Sequence, residues 1–162
     1  MKILDVLEQL EESQLFKDWK KENNQDYLAN IFKFIQNEET PWQIGYYNKE
    51  TDLITTFNVG DDITKNDASE VFKKEDSIDM LKTDDVKIDY DQALLAATNF
   101  QKENYPSDMP MKIIVLLQNK GTTMYNITFI TQTMKTLNMH VSTLDGSILE
   151  SKVTSLMDFK KE

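Results

Sequence analysis

The chain contains no cysteine, no arginine and a single histidine among its 162 residues. Without cysteine there is no disulfide framework, no thiolate nucleophile, no iron–sulfur cluster and no cysteine zinc site. Without arginine there is no planar fork for phosphates or base edges, and the 18 basic residues are all lysines, scattered along the chain. Set against 28 Asp and Glu, they leave a net charge of -10. A positive track for phosphates is therefore missing, and no nucleic-acid partner is expected. Anionic membrane surfaces are disfavoured for the same reason. The four glycines, at 45, 60, 121 and 146, are never close enough to build a phosphate-cradling loop.

Long apolar runs are missing too. None is longer than Ile113-Ile114-Val115-Leu116-Leu117, which falls short of the roughly 7–15 residues of a signal peptide or the roughly 20 of a spanning helix. The opening Met1-Lys2-Ile3-Leu4-Asp5-Val6-Leu7-Glu8 meets an acid before such a run can form. No membrane association is expected, and a chain complete as it stands is expected in the cytoplasm.

What is present suits a globular protein: 40% hydrophobic and 28% charged residues, with room for one full-sized domain. Charge is uneven. Residues 1–49 carry nine acids and six lysines, 50–91 thirteen and five, and 92–162 six and seven. The acidic middle reads as a solvated surface, with docking of something basic as the functional alternative.

Periodicity divides the chain. Ile3, Val6, Leu7 and Leu10 form a helical stripe, and Ser13 is placed to cap a second helix carrying Phe16 and Trp19. A third helix is expected from Asn23 or Asn24, with Tyr27, Leu28, Ile31, Phe32 and Ile35 on one face and Lys33, Gln36 and Asn37 facing out. After Pro41 the pattern turns to strands. Residues 42–47 and 53–59 are rich in aromatic and β-branched side chains and flank a polar loop, which predicts a hairpin. Val71-Phe72 and residues 78–81 read as short segments laid against the core.

Residues 89–104 read as a helix, with Ala93, Leu94, Ala96, Ala97 and Phe100 on its packing face. Strands are expected at 111–117, 123–130 and 137–143, with a short one at Ile148-Leu149. Asp145-Gly146 is the strongest turn signal. Leu156, Met157 and Phe159 are expected to cover an edge. The fold class is α+β: an antiparallel sheet with a helix packed on one face and N-terminal helices added. It is read as one compact unit over 1–162, with subregions 1–87 and 88–162 whose crude common order leaves a duplication open.

Within 88–149 three groups of residues form a pattern. Ile88 precedes Asp89-Tyr90-Asp91-Gln92-Ala93-Leu94 and Ala97; Tyr125-Asn126-Ile127-Thr128-Phe129 alternates; Val141-Ser142-Thr143-Leu144-Asp145-Gly146-Ser147-Ile148-Leu149 closes as a hairpin. This stretch resembles the PepSY domain, a small α+β module of metallopeptidase propeptides. The resemblance implies protein binding or peptidase inhibition and supplies no catalytic residue. Two features depart from it. The family is mostly exported or membrane-attached, and the thirteen residues from Gly121 to Thr133 are unusually rich in Thr and amides. The hairpin at Trp42 would then belong to a divergent second copy.

Readings based on chemistry find little. His140, alone, cannot build a histidine metal site, and strand alternation pairs it on one face with Asn138. A general-base role beside a strand Ser or Thr competes with a plain half-exposed strand residue. Asp61-Asp62, Asp84-Asp85 and Asp89 with Asp91 fit no calcium loop, and Asp89 is better placed as a helix cap. No catalytic residue, metal or cofactor is assigned, and the chain is read as a non-enzyme. Trp42, Tyr46, Tyr47, Tyr125 and Phe129 are the candidate binding surface. Tyr46 and Tyr47 cannot both point inward from one strand, so one is either an exposed anchor or covered by the N-terminal helices. The expected function is a non-catalytic binding or regulatory module with a protein partner. A structural accessory protein, and a small-ligand carrier or carboxylate-based enzyme, are the alternatives.

Overall fold

The structure, a computed structural model, describes residues 2–38, 40–71 and 78–157. Two helices open it, α1 (Ile3–Glu12) and α2 (Gln14–Glu22). The α1 stripe of Ile3, Val6, Leu7 and Leu10 is buried. Ser13 ends α1 and starts α2, its hydroxyl oxygen accepting from the Phe16 N–H at 3.2 Å. Nine strands follow among the described residues: β1 (Tyr27–Ile35), β2 (Trp42–Asn48), β3 (Leu53–Val59), β4 (Ile63–Lys65), β5 (Ser69–Glu70), β6 (Pro110–Asn119), β7 (Thr123–Thr131), β8 (Lys135–Ser142) and β9 (Ile148–Ser155). Helix α3 (Tyr90–Asn104) lies between β5 and β6 in the chain.

All neighbouring strands pair antiparallel in one open sheet, ordered β4-β3-β2-β1-β6-β7-β8-β9, with β5 also on β3. The fold is α+β, with the helices against a large antiparallel sheet that does not close into a barrel. The β1–β6 pair joins two halves of like order, each a helical segment followed by an antiparallel meander. Helices α1 and α2 cover the β1–β3 half, while α3 packs on β7, β8 and β9. Between sheet and helices lies the core, centred on Ile31, Ile44, Phe57, Leu117, Tyr125, Ile127, Phe129 and Met139.

One expected helix is a strand. Residues 27–35, expected in helix, form β1 at the middle of the sheet, paired on both sides. A central strand with apolar residues on both faces makes a nearly continuous apolar run that imitates a helical stripe. Ile31 and Ile35 face the core, whereas Phe32 and Phe34 point to the other side and lie outside the core cluster. Lys33, expected outside, is buried at 7% exposure beneath the helices.

The final strand is longer than expected, eight residues rather than two. Its polar Glu150-Ser151-Lys152 hides the alternation, as suits an edge strand that must resist further pairing. The turn before it matches expectation. Gly146 has φ +79°, and its N–H donates to the Ser142 carbonyl at 3.0 Å. Leu81 is buried and its N–H donates to the Leu28 carbonyl at 2.9 Å, while Met157 stays exposed. The expectations for Phe72 and Phe159 fall outside the described residues.

Candidate binding face of the sheet

The five aromatic side chains expected to form a surface are all buried: Trp42 at 7%, Tyr46 at 4%, Tyr47 at 1%, Tyr125 and Phe129 at 0% exposure. The sheet does not gather them into an exposed patch. Tyr46 lies under α2, its ring 5.1 Å from that of Phe16 and 5.5 Å from that of Trp19. Burial, with Glu11 adding to it, pushes the Tyr46 hydroxyl well above its ordinary pKa. Tyr125 donates from its hydroxyl to the Ile88 carbonyl at 2.7 Å, tying β7 to the start of α3. Burial and the negative charges of Asp89 and Asp91 raise its pKa in turn. Tyr47 points to the opposite face, as alternation requires. It is covered there beside Tyr27 at 5.7 Å, with its hydroxyl donating to Asp52. Tyr46 is thus covered by the N-terminal helices, while Tyr47 is buried without them.

What the fold leaves open is part of the sheet face opposite the helices, away from the end where Tyr47, Met124 and Ser142 are buried. Antiparallel register brings one residue from each of eight strands into a single row across it: Thr64, Asn58, Gln43, Phe32, Leu116, Asn126, His140 and Glu150. A second row runs Phe34, Ile114, Thr128, Asn138 and Lys152, and a third runs Lys112, Ile130, Thr136 and Thr154. The aliphatic and aromatic members in the middle are half-buried and do not belong to the core cluster. At neighbouring-strand spacings of about 4.8 Å the face is roughly 34 Å wide.

Its polar part is organised by hydrogen bonds. The Asn138 amide donates to Asn126 Oδ1 at 2.5 Å and to Thr128 Oγ1 at 2.9 Å, fixing three side chains of β7 and β8. Asn58 donates to Thr64 and Asn66 at 3.1 and 2.9 Å at the far edge. At Gly45 on this face a Cβ would come within 2.7 Å of both Asn30 Oδ1 and Ile54 Cδ1, so β2 carries no side chain there. Among the described residues Gln118 Nε2, also on this face, is buried without a partner. His140 lies in the first row with Nδ1 3.5 Å from Glu150 Oε2. No hydrogen bond joins it to a Ser or Thr hydroxyl among the described residues.

Charge separates this face from the rest of the molecule. Across its three rows Glu150 is the one carboxylate, set against Lys112 and Lys152, on a chain with 28 acids. Sequence reasoning favoured aromatics and passed over Gln43, Asn58, Asn126 and Asn138. The signal available was the excess of Thr and amides in residues 121–133, which now proves to alternate between the core and this face. The acid pairs do not converge: among the described residues no three of His, Asp or Glu gather in a way that could hold a metal. No helix among them is long and apolar enough to cross a membrane.

No family model matches the chain, and no curated protein matches it in sequence. A solved structure of a "putative lipoprotein" from Clostridium difficile 630 is similar in fold, with a TM-score of 0.56 at 10% identity. The match covers 86% of this chain and 90% of that one. At that identity the likeness concerns the fold alone.

Proposed function

We propose that this chain is a non-catalytic binding module that recognises a protein partner through the open face of its sheet. The observation that carries the reading is the face's composition: apolar in the middle, amide and hydroxyl around it, and nearly free of carboxylates on a chain of net charge -10. Depletion of charge at the centre, with a polar rim, is the pattern of protein–protein interfaces. The eight, five and four residues of the three rows cover roughly 550 Å² of sheet, the larger part of the ~800 Å² each partner contributes to a standard interface. Lys112 and Lys152 favour a partner whose contacting rim is acidic or neutral. A PepSY-like identity for residues 88–149 is proposed with it, supported by the capped helix at Asp89, the alternating β7 and the turn at Asp145-Gly146. That resemblance implies protein binding.

The test is comparative capture from native lysate with the parent, Leu116→Glu on the open face, and Leu95→Glu on the exposed side of α3. A polypeptide retained by the parent and Leu95→Glu but lost by a folded Leu116→Glu supports the reading. Equal retention by all three, or no specific retention at any salt, overturns it.

A further inference from the structure

Lys33 stands two residues before the end of β1, on the helix side of the sheet, and is more than nine-tenths buried. Its ammonium has no hydrogen bond and no carboxylate within 4.0 Å among the described residues. It is held instead by rings, with Nζ 4.8 Å from the centroid of Trp42 and 5.9 Å from that of Tyr90. Those rings pack edge to face at 4.9 Å. Aromatic faces attract a cation but satisfy none of its three N–H donors.

The same side chain lines a half-open pocket of about 590 Å³ at the end of the sheet, bordered by Val6 and Gln9 of α1, the start of β2, Asn58 of β3, Thr64 of β4, the turn between those strands and Tyr90 of α3. This volume lies within the ordinary range for small-molecule sites. Asp61 and Asp62 line it too and are exposed, so they form its outer rim. The cavity is therefore polarised, with a buried, donor-rich cation inside and two carboxylates outside.

We propose that this cavity binds a small zwitterion, a short peptide with free ends. The ligand's carboxylate takes the open donors of Lys33, and its amino group faces Asp61 and Asp62. A charge-assisted bond to the buried ammonium fixes the anionic end. The two rim carboxylates disfavour a multiply charged anion such as phosphate and favour a cationic far end. Trp42 and Tyr90 supply apolar walls for what lies between. Lys33, Trp42 and Tyr90 lie on the helix-covered side of the sheet, while Asn58 and Thr64 at the far edge of the open face also border the pocket. The protein-recognition reading rests on Phe32 and Leu116, which do not line it, so either reading can fail while the other stands.

The chain has two tryptophans, Trp42 at the cavity and Trp19 packed on Phe16 and Phe57, giving two indole N–H signals in a nitrogen-labelled NMR spectrum. Titration of the full chain with trialanine is expected to shift the Trp42 signal saturably and leave that of Trp19 in place. Trialanine amide, lacking the carboxylate, and the Lys33→Met variant are each expected to bind at least about tenfold more weakly. N-acetyl-trialanine is expected to bind more weakly than trialanine to the parent, and equally to an Asp61→Asn, Asp62→Asn double variant. A dispersed amide spectrum of Lys33→Met shows that it is folded. Absence of a saturable shift up to about 10 mM, unchanged binding to folded Lys33→Met, or an equal response to inorganic phosphate would overturn the assignment.

Discussion

The backbone N–H of Ile3 donates to Oδ1 of Asp89 at 3.0 Å, across 86 positions of sequence. The same oxygen accepts from the Tyr90 N–H at 2.7 Å, and the Asp89 N–H donates to Gln92 Oε1 at 2.9 Å. One carboxylate thus serves the first turns of α1 and α3, where orphan N–H groups and the helix dipole both favour negative charge. Lys2 gives α1 no side-chain cap of its own, so Asp89 stands in for it. Asp89 is a clamp between the two helical layers as well as the local cap legible in the sequence.

Removing that clamp should affect two helices together. Asp89→Ala is expected to lower stability by about 2 kcal/mol, at the upper end of single-cap losses. Asp89→Asn keeps an acceptor and should lose less. Denaturant titration measures both, and an Asp89→Ala midpoint equal to that of the parent would show that the clamp contributes nothing.

The β8–β9 turn makes a second expectation. Gly146 sits at φ +79°, and a Cβ there would stand 3.3 Å from Ile88 Cδ1. Gly146→Val should therefore destabilise the fold by about 1–3 kcal/mol. Asp145 stabilises the same turn differently, its Oδ1 accepting from the Ser147 N–H at 3.0 Å and hydroxyl at 2.7 Å. The Ser147 backbone bond, followed by its side-chain bond, holds the Asp145 carboxyl below its ordinary value of 3.8. A depressed folded pKa adds stability above the unfolded value, and that stability disappears as pH falls through the folded one. The gap between parent and Asp145→Ala midpoints should be full near neutrality and close below pH 3.8. A gap that widens with acid would contradict this sign.

Why the second half was legible and part of the first was not follows from which faces are covered. Strands β6 to β8 alternate between a core face and a mixed open face, and turns containing Gly121 and Gly146 separate them from their neighbours. Helix α3 announces itself by Asp89 and its alanines. Strand β1, apolar on both sides and central, carries no such alternation, so its Phe32 and Phe34 read as helical stripe. With β1 misread, neither the open face nor the burial of Lys33 could be deduced, since both depend on β1 being a strand. The aromatic side chains singled out from the sequence were the right size for anchors. Size also makes them the most favourable groups to bury, and the core holds them.

Neighbouring residues on β6 separate the two faces energetically. Leu117 is fully buried and pairs with Ile31 and Tyr125, whereas Leu116 is half-buried on the open face opposite Phe32 and Asn126. Leu117→Ala should destabilise by about 2–5 kcal/mol, through lost transfer energy and a residual cavity. Leu116→Ala should stay within about 1 kcal/mol, because its side chain leaves no enclosed void. Equal losses at the two positions, read from denaturant midpoints with matching slopes, would mean that the open face is covered in the folded chain.

Lys33 offers the sharpest opposition between stability and function. Desolvating an ammonium without a carboxylate is unfavourable, and the rings of Trp42 and Tyr90 return only part of that loss. Methionine has nearly the same length and flexibility, packs against aromatic rings and needs no donors satisfied. Lys33→Met should therefore raise stability, by about 1 kcal/mol, by the logic that makes hydrophobic replacement of buried charge neutral or favourable. Lys33→Ala removes the charge but leaves a void beside Trp42, and it should gain nothing or lose. Ranking Lys33→Met above the parent, and the parent at or above Lys33→Ala, is the expected order in denaturant midpoints. A parent more stable than Lys33→Met would mean that the ammonium is satisfied in the free protein. A lysine kept at this position despite its burden on the fold is what a ligand-binding cation requires, since function often retains a group that stability alone would replace.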